Sequence, residues 1–182
     1  MMRQPTGAGE PQFGGQGGGQ GGAQQAQFAE LGGRAEALWR RVSELERGLA
    51  VQEWWLFGRA LPEARLLSEI GSLLAVARAE LETALTQVFG RQVPSMDMND
   101  QVAPIVDPAT FERDSAWIAA TRDQAIGLLR MIAGALPPML QYAQMLRQYG
   151  ERYGLPSAAV DAFSIVGDRL SEVDEALRQP PA

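Results

Sequence analysis

Residues 28–49, FAELGGRAEALWRRVSELERGL, decide the fold. Here Phe28, Leu31, Ala35, Leu38, Val42, Leu45 and Leu49 follow one another at alternating steps of three and four. That spacing lines one narrow stripe of an α-helix and requires a partner helix to cover it. The same steps recur in Leu67, Ile70, Leu74, Ala77, Leu81, Ala84 and Val88, and again in Phe163, Val166, Leu170, Val173 and Leu177. Three such stripes, with no convincing strand anywhere, predict an all-α helical bundle with coiled-coil-like heptad seams. Within the first stripe Gly32 and Gly33 cost about 2 kcal/mol relative to Ala. The helix is therefore secure from Arg34 onward, and Phe28 and Leu31 join it when a partner helix packs against them. Glu36 four residues before Arg40, and Arg40 four before Glu44, are expected to pair and mark its solvated side.

Outward from this stretch the chain divides into three parts. Residues 1–27, almost all Gly, Gln and Ala beyond Thr6, bury too little apolar surface to offset their ordering entropy and read as a disordered tail. Residues 28–178 form the bundle: a helical hairpin over 28–90, a crossover over 91–107 and three further helices over 108–178. In the hairpin, Gly58 and Pro62 separate the helices, with Pro62 as a first helical residue and Glu63 in the positively polarised first turn. Gly90 ends the second helix. The crossover holds Pro94 and Pro104 and has no helical period. Fully extended it reaches roughly 55 to 60 Å, more than the ~42 Å of a 28-residue helix, so the third helix can begin at the far end of the bundle. Asp107 and Pro108 fit the start of that helix. Pro137-Pro138 is expected to break it from a fourth, which Gly154-Leu155-Pro156 separates from a fifth. The prediction is thus about five helices with one long crossover.

Composition excludes much chemistry. The 182 residues contain no Cys and no His, and all 16 basic residues are Arg. Disulfides, thiolate or imidazole metal sites, Ser-His-Asp triads, lysine Schiff bases and the Glu-x-x-His pairs of diiron bundles are all ruled out. Asp97, Asn99 and Asp100 suggest a calcium loop, but counting from Asp97 the sixth and twelfth positions are Val102 and Pro108 where an EF-hand needs Gly and Glu. Glu80 and Glu82, two apart on a helix, point to different sides and make a poor acid–base pair. No enzymatic activity, cofactor or metal is expected. The net charge of −6 argues against a duplex nucleic-acid partner.

Two sets of residues are interaction candidates. Trp54, Trp55 and Phe57 stand beside the first stripe, where that stripe's partner cannot cover them all. They fit either a second layer of the bundle or a contact surface for a protein or lipid. Tyr142, Tyr149 and Tyr153 lie near one helical face with Arg147 and Arg152 close by, a combination that can stack single-stranded bases or sit at the edge of a core. The expected function is a non-enzymatic scaffold or adaptor working through helix–helix contacts with protein partners and with copies of itself. A coat on a membrane or hydrophobic granule is the alternative, and a helical subunit of a nucleic-acid complex the third reading. Residues 126–146 are apolar, but Arg130, the two prolines, Gln141 and Gln144 make a membrane span unfavourable. The first twelve residues hold no secretory apolar run, so a cytoplasmic location is expected.

Overall fold

The structure, a computed structural model, describes residues 18–50, 61–93 and 115–179. Four helices lie within them: α1 (Gly18–Ala50), α2 (Pro62–Gln87), α3 (Ser115–Arg152) and α4 (Ser157–Arg178). Among the described residues there is no strand. The chain is an all-α bundle.

Side-chain pairs fix the helix directions. Phe28 meets Phe89, Trp39 meets Glu82, Glu46 meets Arg78 and Leu49 lies beside Gly71, so α1 and α2 run antiparallel. Arg34 reaches Met145 and Tyr149 while Arg41 lies level with Pro138, so α1 and α3 are antiparallel too. Gly150 against Val160 and Gly167 against Ala143 give the same relation for α3 and α4. It follows that α2 and α3 are parallel, as the Glu63–Arg122 ion pair at their shared N-terminal end requires. The end of α2 and the start of α3 therefore lie at opposite ends of the bundle, about 39 Å apart along its axis by the length of α2. Among the described residues this is a four-helix arrangement whose second and third helices are parallel. Each of α1 and α4 packs between α2 and α3, with α1 and α4 on opposite corners, and the α1–α3 seam is thinner than α1–α2, α2–α4 or α3–α4.

Burial follows the stripes residue by residue. All of the positions read from the sequence are buried except Phe28, Val88 and Leu177, which lie at the ends. Each large side chain so placed contributes roughly 1.5 to 3 kcal/mol. Pro62 begins α2 and Glu63 sits in its first turn. Gly90, at φ 61°, lets the Arg91 amide donate to the Leu85 carbonyl at 2.9 Å. Gly154, at φ 69°, ends α3, with the Leu155 amide donating to the Gly150 carbonyl in a Schellman closure.

Three expectations need correction. The third and fourth helices expected from the sequence are one helix, so the described residues hold four helices rather than five. Pro137 and Pro138 lie inside α3. Neither carries an N–H, so the carbonyls of Ala133 and Gly134 lose their helical donors. All four residues are exposed to water, while Ile132, Leu136, Met139, Ala143 and Leu146 bury a continuous stripe on the other side. Burial of those side chains outweighs the roughly 3 kcal/mol that each proline costs in a helix. The second correction concerns the tail: residues 18–27, expected to be disordered with the rest of 1–27, are the first turns of α1. Residues 23–31, AQQAQFAEL, contain no Gly and are mostly good helix formers. They are anchored by Leu31, which is buried, and by Phe28, whose ring lies 4.9 Å from that of Phe89. Residues 1–17 lie outside the described residues. The third is local: Glu44 meets Arg41 at 4.0 Å, not Arg40, which is held by Glu36 at 2.8 Å.

Candidate interaction surfaces

The α1–α2 seam is locked by a polar network that the sequence stripes do not reveal. Trp39 is buried, and its indole Nε1 donates to Glu82 Oε1 at 3.1 Å. Glu82 also accepts from Arg78, whose guanidinium grips the nearly buried Glu46 on α1 with both Nε and Nη2. Hydrogen bonding to Glu46, partly opposed by burial and reinforced by Glu82, holds the Arg78 pKa above its ordinary value. One level further along, Arg91 reaches back from the end of α2. It donates to Glu36 at 2.6 Å and to the Ala29 carbonyl at 3.1 Å. Hydrogen bonds from Arg91 and then Arg40 hold the Glu36 carboxyl below the usual glutamate range. Gly32 makes this approach feasible, since a Cβ there would stand 2.9 Å from Arg91 Nε and 3.0 Å from Phe89 Cδ1. Glu82 is thus a structural acceptor shared by Trp39 and Arg78.

The tyrosine candidates divide into two places. Tyr149 and Tyr153 stack with centroids 5.8 Å apart and planes 12° apart. Arg34 lies 5.7 Å from the Tyr149 centroid and Arg152 5.9 Å from that of Tyr153. The result is a ladder, Arg34–Tyr149–Tyr153–Arg152, in which each ring already has two stacking neighbours. Beside it an open cleft of about 730 Å³ separates the first turns of α1, with Gln24, Gln25, Gln27 and Phe28, from Tyr153 to Pro156 in the α3–α4 turn. Arg147 is taken up by Glu151 at 3.4 Å and joins no tyrosine contact among the described residues. Tyr142, 37% exposed, stands apart in a groove of about 420 Å³ between α1 and α3. Ala37, Leu38 and Arg41 line one wall, and Gly134, Ala135, Pro138 and Met139 the other. Met131, 51% exposed, lies one turn from Gly134 on α3.

Trp54, Trp55 and Phe57, and likewise Asp97, Asn99 and Asp100, lie outside the described residues. Among the described residues no three His, Cys, Asp or Glu side chains cluster to hold a metal ion. Nor is any helix there long and apolar enough to cross a membrane. The groove was missed from sequence, although Gly127, Met131, Gly134 and Pro138 recur at steps of four and three and signal a second, small-residue face on α3. Arg91 and Trp39 carried no such signal, because their roles depend on partners far along the chain. The fold defines the class as an all-α helical bundle, with four helices among the described residues. No known protein family, curated protein or solved structure matches the chain.

Proposed function

We propose that this chain is a non-enzymatic helical scaffold or adaptor that works through helix–helix contacts with protein partners, including copies of itself. The observation that carries this reading is the groove between α1 and α3. This seam is the thinnest of the four between neighbouring helices, and it leaves Met131 and Tyr142 in water beside small residues that let another backbone approach. From Met131 to Leu146 α3 has no charged residue, although 21% of the chain is charged. Such a surface suits a packed helix better than a soluble ligand.

The test combines sedimentation velocity over a range of concentrations with affinity capture on the immobilised full chain. Association or capture that is lost in Met131→Arg and Tyr142→Arg, both exposed and harmless to helicity, is the expected result. A chain that remains monomeric and retains no protein in a groove-dependent way would overturn the reading. The nucleic-acid alternative is less favoured, because the ladder uses its stacking faces internally. The coat alternative depends on Trp54, Trp55 and Phe57, and vesicle-induced shifts of tryptophan emission test it separately.

A further inference from the structure

The charges around the groove say what could occupy it. Arg41 on the α1 wall has a side chain 72% exposed and only a 4.0 Å contact with Glu44. Arg130, exposed on α3, forms no ion pair among the described residues. Between Asp123 and Glu151, α3 contains no carboxylate at all. On α4 the balance is reversed, with five carboxylates against two Arg. Arg169 and Arg178 are held by Glu172 and Asp174. Asp161, Asp168 and Glu175, spaced by seven along the outer side, are exposed and form no ion pair among the described residues. Ile165 is half-buried between the first two.

We propose that the α1–α3 groove receives the outer side of α4 from a second copy of this chain, with Asp161 and Asp168 meeting Arg130 and Arg41. The proposal rests on the scaffold reading and names its surface. Asp161 and Asp168 are about 10.5 Å apart along α4. Arg41, level with Pro138, is about 12 Å along the bundle from Arg130, so the spacings agree. Ile165 supplies the apolar knob between the two charged contacts. Groove and ridge are different faces of one molecule, so the contact is heterologous, and each added copy leaves a free groove and a free ridge. Assembly is therefore open-ended or ring-forming rather than limited to a twofold dimer.

The experiment is sedimentation velocity on the full chain in about 0.01 M and about 1 M salt, across which the Debye length falls from roughly 30 to 3 Å. Expected are species larger than dimers at low salt, weakened roughly tenfold or more at high salt, and similar weakening by Arg41→Asp or Asp168→Arg alone. Mixing these two variants should restore assembly, because every contact in an alternating chain again pairs opposite charges. Circular dichroism checks that each variant is folded, and Arg130→Asp with Asp161→Arg serves as a second pair if one is not. Variants that associate like the wild type, or a mixture that does not recover, would overturn this interface while leaving the scaffold reading intact. A wild-type chain that is monomeric at low salt and high concentration would overturn the interface and the self-association in that reading together.

Discussion

Gly32 and Gly33 are adjacent glycines in one helix, yet the structure predicts opposite outcomes for Ala at the two positions. Helix propensity alone favours both substitutions by about 1 kcal/mol. At Gly33 a new Cβ would stand 3.9 Å from the nearest atom, Arg91 Nη2, so that gain is realised. At Gly32 it would stand 2.9 Å from Arg91 Nε and 3.0 Å from Phe89 Cδ1. The guanidinium must then lift away from Glu36 and the Ala29 carbonyl, and the Phe89 ring must move against Phe28. Overpacking of this kind costs about 1 to 3 kcal/mol. Set against the propensity gain, Gly32→Ala should destabilise the chain by about 1 kcal/mol and Gly33→Ala should stabilise it by a similar amount. Urea unfolding followed by helical circular dichroism reads both midpoints. If Gly32→Ala is as stabilising as Gly33→Ala, the Arg91 notch does not exist in solution.

Arg91 and Arg40 hold Glu36 ionised, so its contribution is fully present above the unfolded glutamate pKa of about 4.5 and is lost as pH falls through its lower folded value. In Glu36→Gln the thermal midpoint should fall less between pH 7 and pH 3 than in the wild type, and equal falls would refute the linkage. Pro137→Ala returns a donor to the exposed Ala133 carbonyl and should stabilise α3 by about 2 kcal/mol, the helix cost of proline less its effect on the unfolded chain; an unchanged urea midpoint would count against an uninterrupted α3. Leu81→Asp places a carboxylate where the side chain is wholly buried and should cost several kcal/mol, enough to unfold the domain. Wild-type helicity and elution volume in that variant would contradict the packing of α2.

What the sequence disclosed depended on the range of the interaction. Apolar steps of three and four are local, and they placed Leu38, Leu74, Leu81, Val166 and Leu170 in the core without any knowledge of the fold. Gly90 and Gly154 were legible for the same reason, since a helix stop needs only its own neighbours. The proline pair misled because local propensity counts the lost hydrogen bonds but not the stripe from Ile132 to Leu146 that keeps the helix going beneath them. The first turns of α1 misled in the same direction, since their composition says nothing of Phe89, which is more than sixty residues away and packs on Phe28. Tyr142, Tyr149 and Tyr153 were found together by periodicity, but whether a ring faces water or a cation depended on Arg34 from another helix.

The same contrast explains why the open seam lies between α1 and α3. α1 turns Trp39 and Leu49, and its ionic grips, Glu36 and Glu46, toward α2 and the turn that follows it. Toward α3 it offers Ala37 and the edge of Leu38, and α3 answers with Gly134, Ala135 and Pro138. Small residues on both walls bring two helices close only if the backbones can meet, and the α1 backbone is already committed to α2 by the Arg78 and Arg91 contacts. A groove remains because the large side chains beside it, Arg41 and Tyr142, stay in water rather than filling it. Enlarging a wall is therefore an independent probe of the site: Ala37→Leu should occupy the groove, leave the helices intact, and compete with whatever docks there.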